Sequence, residues 1–110
     1  MKKMSNLTQT VIHQIHEVAQ KHIPKNGQVM LYGSRARGDA HKGSDWDLLV
    51  VLDLEEVTER DYKNYIYPFT VLGWDINQFI IPVVYTKDEW ERNRLTPFRM
   101  NVEQDAIRIL

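Results

Sequence analysis

Cysteine is absent from these 110 residues, which excludes disulfides and thiolate metal sites and is compatible with a reducing compartment. No apolar run approaches the roughly 20 residues that span a bilayer. The opening Met1-Lys2-Lys3-Met4-Ser5-Asn6 leads into a polar amphipathic stretch rather than the apolar core of a signal peptide. A cytoplasmic protein with no membrane partner is therefore expected. A surplus of one charge is also missing: 26% of residues are charged but the net charge is −1. Such a balance lacks the broad basic footprint of nucleic-acid binders, so nucleic acid would have to bind locally. Internal repeats, linkers and low-complexity segments are absent too. The length fits one domain over 1–110, with a single core and little room for a second.

What is present concentrates in one stretch, Gly33-Ser34-Arg35-Ala36-Arg37-Gly38, followed after a polar connection by Ser44-Asp45-Trp46-Asp47-Leu48. Asp45 and Asp47 stand two apart, and in an extended segment such residues project from one face while Trp46 points the other way. Two carboxylates on one face repel each other unless a cation lies between them. Hard oxygen ligands suit Mg²⁺ or Mn²⁺, which complete their octahedra with water and phosphate oxygens. Gly33 permits a backbone geometry or a close approach that a Cβ would forbid. Ser34 offers a hydroxyl beside exposed N–H groups, an arrangement that binds anions at helix starts. Arg35, Arg37 and Lys42 add positive charge to the same connection.

Apolar spacing predicts a helix over 6–21, capped by Ser5 or Asn6. A short strand over 28–32 then delivers Gly33 at its end. The near-continuous Leu48-Leu49-Val50-Val51-Leu52 suits a strand over 44–52 buried on both faces. Thr58 opens a second helix to about residue 72, with acidic residues in its first turn. A break at Gly73-Trp74 precedes a third strand over 75–85, which Pro82 demotes in part to an edge or bulge. Thr86-Lys87-Asp88-Glu89 is a capping box for a short helix, Thr96-Pro97 opens a final one, and 107–110 add a last short strand. The class is α/β (α+β): a small mixed sheet flanked by helices.

Gly33-Ser34, the Gly-Ser-Arg-Ala-Arg-Gly string and Asp45-x-Asp47 before an apolar strand resemble the signature of the DNA polymerase β-like nucleotidyltransferase superfamily. The form is that of its minimal nucleotidyltransferase (MNT) members, many of which pair with a HEPN-domain protein as antitoxin and toxin. The resemblance implies the superfamily's fold and transfer of an NMP from an NTP, ATP above all. It implies Asp45 and Asp47 as catalytic metal ligands, and Gly33, Ser34, Arg35, Arg37 and Ser44 around the nucleotide phosphates. The family also uses a third carboxylate on a later strand. Counted back from the capping box, that place falls near Pro82 or Val83, neither of which binds metal. Asp75 is the one carboxylate of that region and the candidate for a shifted register.

Three functions remain open on these grounds. The chain is an NMP transferase acting on a hydroxyl, such as a tyrosine of a HEPN-type toxin partner; or a binding module that inhibits its partner sterically, with little or no catalysis; or an antibiotic-modifying transferase, for which a second domain is lacking. A homo-oligomer is compatible with each. His13, His16 and His22 lack metal-site spacing, and His41 lies between the phosphate turn and the aspartates as a loop residue. Among the aromatics, Tyr62, Tyr65, Trp74 and Trp90 are candidates either for the core or for a partner surface.

Overall fold

The computed structural model describes residues 4–110. Helix α1, Asn6–His22, starts at Ser5, whose hydroxyl accepts from the Thr8 N–H. Its buried Val11, Ile15 and Ala19 form the stripe expected of an amphipathic helix. Strand β1, Gln28–Tyr32, ends at Gly33 and a single helical turn, α2, Ser34–Arg37. Strand β2, Trp46–Leu52, is buried along almost its whole length. It begins two residues later than expected because Ser44 closes a turn, donating its N–H to the His41 carbonyl and accepting the His41 N–H at its hydroxyl.

The second helical stretch runs from α3, Glu59–Asp61, through a π-helical turn at Tyr62–Ile66 into α4, Tyr67–Ile76. Thr58 and Asp61 form the capping box at its start. Pro68 has no N–H to donate, and its ring would press on the carbonyl four residues back, so the wider turn ahead of it relieves that conflict. Against expectation, Gly73-Trp74 is no break. A Cβ at Gly73 would lie 2.7 Å from the Gln78 carbonyl oxygen, so the glycine lets the chain turn back over the helix. Asn77, left-handed at φ 55°, and the Gln78 N–H bonded to the Gly73 carbonyl end α4 in a Schellman-like cap. The third strand is consequently the shorter β3, Ile80–Thr86, and Asp75 belongs to a helix. Helix α5, Lys87–Arg92, carries the expected Thr86–Glu89 capping box. Helix α6, Pro97–Asp105, and strand β4, Ile107–Arg108, complete the fold.

The strands form one mixed sheet in the order β3-β2-β1-β4. β2 and β3 are parallel, while β1 runs antiparallel to β2 and β4. Pro82 thus sits on an edge strand, where a missing donor is tolerated. Alternation along β2 divides the core. Trp46, Leu48, Val50 and Leu52 pack with α1, Ile66 and Phe69 on one face; Leu49 and Val51 pack with Trp90 and Val102 on the other. Among the described residues, no helix is long and apolar enough to cross a membrane.

Candidate functional site

At one end of the sheet, the close of β1 meets the start of β2. Tyr32 pairs with Asp47 in register, and Gly33 follows at φ 77°, a conformation that favours glycine. A Cβ at Gly33 would lie 2.4 Å from Asp47 Oδ2. The glycine is therefore required twice, by its backbone angle and by the carboxylate against it. Its carbonyl accepts the N–H groups of Ala36 and Arg37 at 3.0 Å, which starts α2 and leaves the first N–H groups of that turn without helical acceptors.

Asp47 is half-buried and Asp45 exposed. Burial pushes the Asp47 carboxyl above the usual range; the neighbouring Asp45 charge adds to the rise, and Arg37 opposes it. The Tyr32 hydroxyl is raised as well, by burial first and then by Asp47 and Tyr85. Asp45 and Asp47 thus stand close enough to act on one another, and their acidic oxygens suit a hard cation. Among the described residues, no three His, Asp or Glu side chains converge on a metal position. Asp45 and Asp47 would therefore form a two-carboxylate seat, completed by water and phosphate oxygens, as Mg²⁺ commonly accepts.

The two arginines of the turn part company. Arg35 is buried: its Nε and Nη2 donate to the Ser44 carbonyl at 3.3 and 3.0 Å. Its guanidinium lies 4.3 Å from the centre of the Trp46 ring, on the face opposite the carboxylates. Expected near phosphate, Arg35 instead ties α2 to the segment that presents Asp45. Arg37 is exposed, with Nε 3.2 Å from Asp39 Oδ2 and Nη1 3.2 Å from Asp105 Oδ2. Those carboxylates raise its already high pKa. Ser34 is half-buried at the head of α2, whereas Ser44 spends its carbonyl on Arg35 and its hydroxyl on His41.

The third carboxylate is not supplied by Asp75. That residue lines a surface hollow with Val18, His22 and Tyr67, on the α1/α4 side, whereas Asp47 shares its face with Leu49 and the α5/α6 cluster. The β3 residue in register with Asp47 is Ile81, and Pro82 stands opposite Leu48. Of the histidines, His13 pairs with Glu17 at 2.8 Å on an exposed helix face, and His41 is exposed. Tyr32 and Asp105 join the site without a motif in the sequence to single them out. The first had a signal, as the residue preceding Gly33; the second lies 68 positions from the arginine it meets and had none.

Residues 12–107 match the nucleotidyltransferase domain family. The chain belongs to that family. No curated protein matches it significantly, but solved structures share its fold. One is a toxin–antitoxin complex with AMP-PNP, at TM-score 0.64 and 18% identity, over 90% of this chain and 72% of that one. Another is a tri-AMPylated Shewanella oneidensis HEPN toxin in complex with MNT antitoxin, at TM-score 0.61 and 16% identity, over 94% and 71%. A nucleotidyltransferase candidate from Sulfolobus solfataricus gives TM-score 0.53 and 20% identity, over 98% and 87%. This nucleotidyltransferase domain therefore has the fold found in MNT antitoxin complexes.

Proposed function

We propose that the chain is a minimal nucleotidyltransferase domain that moves an NMP, with ATP as the donor, onto a tyrosine hydroxyl of a HEPN-type protein partner, and so acts as its antitoxin. The observation that carries this reading is the contact of Gly33 with Asp47, since it brings an anion-binding turn against a carboxylate pair. The structural neighbours with AMP-PNP and with an AMPylated HEPN toxin support the donor and the partner.

In this reading Asp45 and Asp47 hold a divalent cation. Such an ion, when bound, neutralises triphosphate charge and makes an acceptor hydroxyl more acidic. Ser34 and the first N–H groups of α2 hold the outer phosphates. Arg37 swings from Asp39 and Asp105 toward the leaving group, where a planar multi-donor cation is well suited. Arg35 positions, through Ser44, the segment that carries Asp45. The missing third carboxylate among the described residues favours a second reading, in which the same pocket binds nucleotide but inhibition of the partner is steric.

The test is the thermal unfolding midpoint with each NTP, with and without Mg²⁺, for the natural chain and Asp47→Ala. A ligand at a hundred times its Kd stabilises by about 2.7 kcal/mol. The expected result is a Mg²⁺-dependent upward shift with ATP that the variant loses. No shift with any NTP would remove the nucleotide site. A phosphodiester-linked AMP on the partner after incubation with ATP separates transfer from steric inhibition.

A further inference from the structure

We infer that the small cavity between the start of α1 and the α2 turn is a second anion site, which takes a single phosphate group on the buried guanidinium of Arg35. The inference does not depend on the nucleotide reading. Arg35 stacks on Trp46, and Trp46 belongs to the face of the sheet under α1, not to the one from which Asp47 projects.

Arg35 is the anchor. It is only 8% exposed, and a buried charge is costly unless an opposite charge or hydrogen bonds meet it. A guanidinium carries donors on all three of its nitrogens. Here Nε and Nη2 both donate to a single acceptor, the Ser44 carbonyl, and the Trp46 ring covers one face. Among the described residues, no carboxylate pairs with Arg35, and Nη1 has no protein acceptor. No sealed side-chain polar atom among those residues goes without a partner, so Nη1 is reached from the space that Arg35 lines. Arg37, by contrast, has its charge met twice, by Asp39 and Asp105.

That space is a cavity of about 180 Å³, below the roughly 300–1,000 Å³ of clefts that enclose larger ligands. It suits one phosphate group and not a nucleoside. Opposite Arg35, Ser5 and Thr8 bring the start of α1 to its wall. Thr8 is 7% exposed, and its hydroxyl lies 2.9 Å from Ser5 Oγ. One hydroxyl proton lies between those two oxygens, which leaves the other available to a ligand. Ser5 accepts the Thr8 and Gln9 N–H groups, so those of Asn6 and Leu7 keep no helical acceptor. The first turn of this 17-residue helix carries no acidic side chain, and its dipole favours negative charge there.

A planar set of donors on one wall, with hydroxyls and a helix start on the other, fits a phosphate oxyanion. Arg35 thus serves a phosphate separate from those of the nucleotide. Because the same guanidinium holds the Ser44 carbonyl, the cavity adjoins the segment that presents Asp45. The group is supplied either by inorganic phosphate or by one end of pyrophosphate, the product of nucleotidyl transfer.

The experiment titrates the ¹⁵N-labelled chain with phosphate and, separately, with pyrophosphate, without Mg²⁺ or nucleotide and at ionic strength held constant with sodium chloride. The signals read are the Arg35 Nε–H and the Leu7 and Thr8 amides. All three should shift and saturate together, and the anion that binds more tightly identifies the source. Ala40→Glu, in the connection after α2, sets a carboxylate at the cavity wall and should weaken the affinity about tenfold or more, the scale of one charge-assisted hydrogen bond. Arg35→Met should abolish the response; should it fail to fold, Ala40→Glu carries the test. Asp47→Ala, which disables the nucleotide site, should keep the response unchanged. A shift confined to Gly33 and Ser34, a drift that does not saturate, or a response that Ala40→Glu leaves intact overturns the inference, as does one that Asp47→Ala removes. The nucleotide reading is judged separately, with ATP and Mg²⁺, and survives such a failure.

Discussion

The two faces of the sheet are built to different standards. Among the described residues, the face under α1 and α4 gathers thirteen buried ones, from Val11 to Ile109, while the face under α5 and α6 gathers four. On the second face, Met30, Tyr32, Tyr85 and Phe98 are only partly buried, and Asp47 projects from the same side of β2. One strand thus serves two ends: its even positions face the larger core, and its odd positions run from Asp47 at the accessible end to Leu49 and Val51 in the smaller core. Chemistry needs groups that water and substrate can reach, so the looser face is where the carboxylates can stand without the full cost of burial.

Truncating one ring on each face breaks that comparison most sharply. Phe69 is fully buried in the larger core, and Phe69→Ala should cost about 3–5 kcal/mol, the scale for emptying a buried aromatic site. Phe98 packs edge-on against Tyr32 with ring centres 5.6 Å apart but remains half-buried. Phe98→Ala should cost about 1–2 kcal/mol, in proportion to the smaller area it removes from water. Urea unfolding checks both. Equal losses would mean that the two faces support the fold alike.

The arginines sharpen the same contrast within one turn. Arg35→Met removes two hydrogen bonds to the Ser44 carbonyl and the stacking on Trp46, and should lower stability by about 2–3 kcal/mol. Arg37→Met touches only exposed ion pairs and should leave the unfolding midpoint nearly unchanged, as surface pairs contribute little. Its effect belongs to binding: most of the ATP-dependent midpoint shift should vanish. Thermal unfolding with and without ATP and Mg²⁺ separates the roles. A large fall in stability for Arg37→Met would contradict the assignment.

Much of this is legible in the sequence. Gly33-Ser34 and Asp45-x-Asp47 act through backbone angle and strand alternation, both local properties, and the two caps at Thr58 and Thr86 follow from hydrogen bonds three residues apart. Sequence and structure part where a residue's role depends on distant packing. Arg35 and Arg37 are indistinguishable in a string; only the Trp46 ring beneath one and Asp105 beside the other divide them. Asp75 looked like strand because the end of an apolar helix, 67–76, runs almost directly into an apolar strand, and periodicity blurs across such a junction. The signals at that junction were Gly73 and Asn77, which read as a break rather than as the cap of a helix already in progress. Trp74 and Trp90, alike in sequence, emerged as exposed and buried.

The smallest effect probes the charge balance of the carboxylate pair. Burial and Asp45 hold the Asp47 pKa above its ordinary value. A carboxyl raised in the folded state binds its proton more tightly there than in the unfolded chain, so its contribution favours folding at low pH. That contribution is lost as pH climbs from the unfolded pKa, about 3.9, through the raised folded one. Asp47→Asn should therefore be slightly more stable than the natural chain at neutral pH, by about 0.2–1 kcal/mol, the scale of a like-charge pair. The difference should close below that titration window, where the natural carboxyl is itself uncharged. Mg²⁺ at neutral pH should narrow the same gap by stabilising the natural chain alone. Urea unfolding across acid to neutral pH measures it, and a variant less stable at neutral pH than in acid, relative to the natural chain, would show that Asp47 is held by a favourable partner rather than by repulsion.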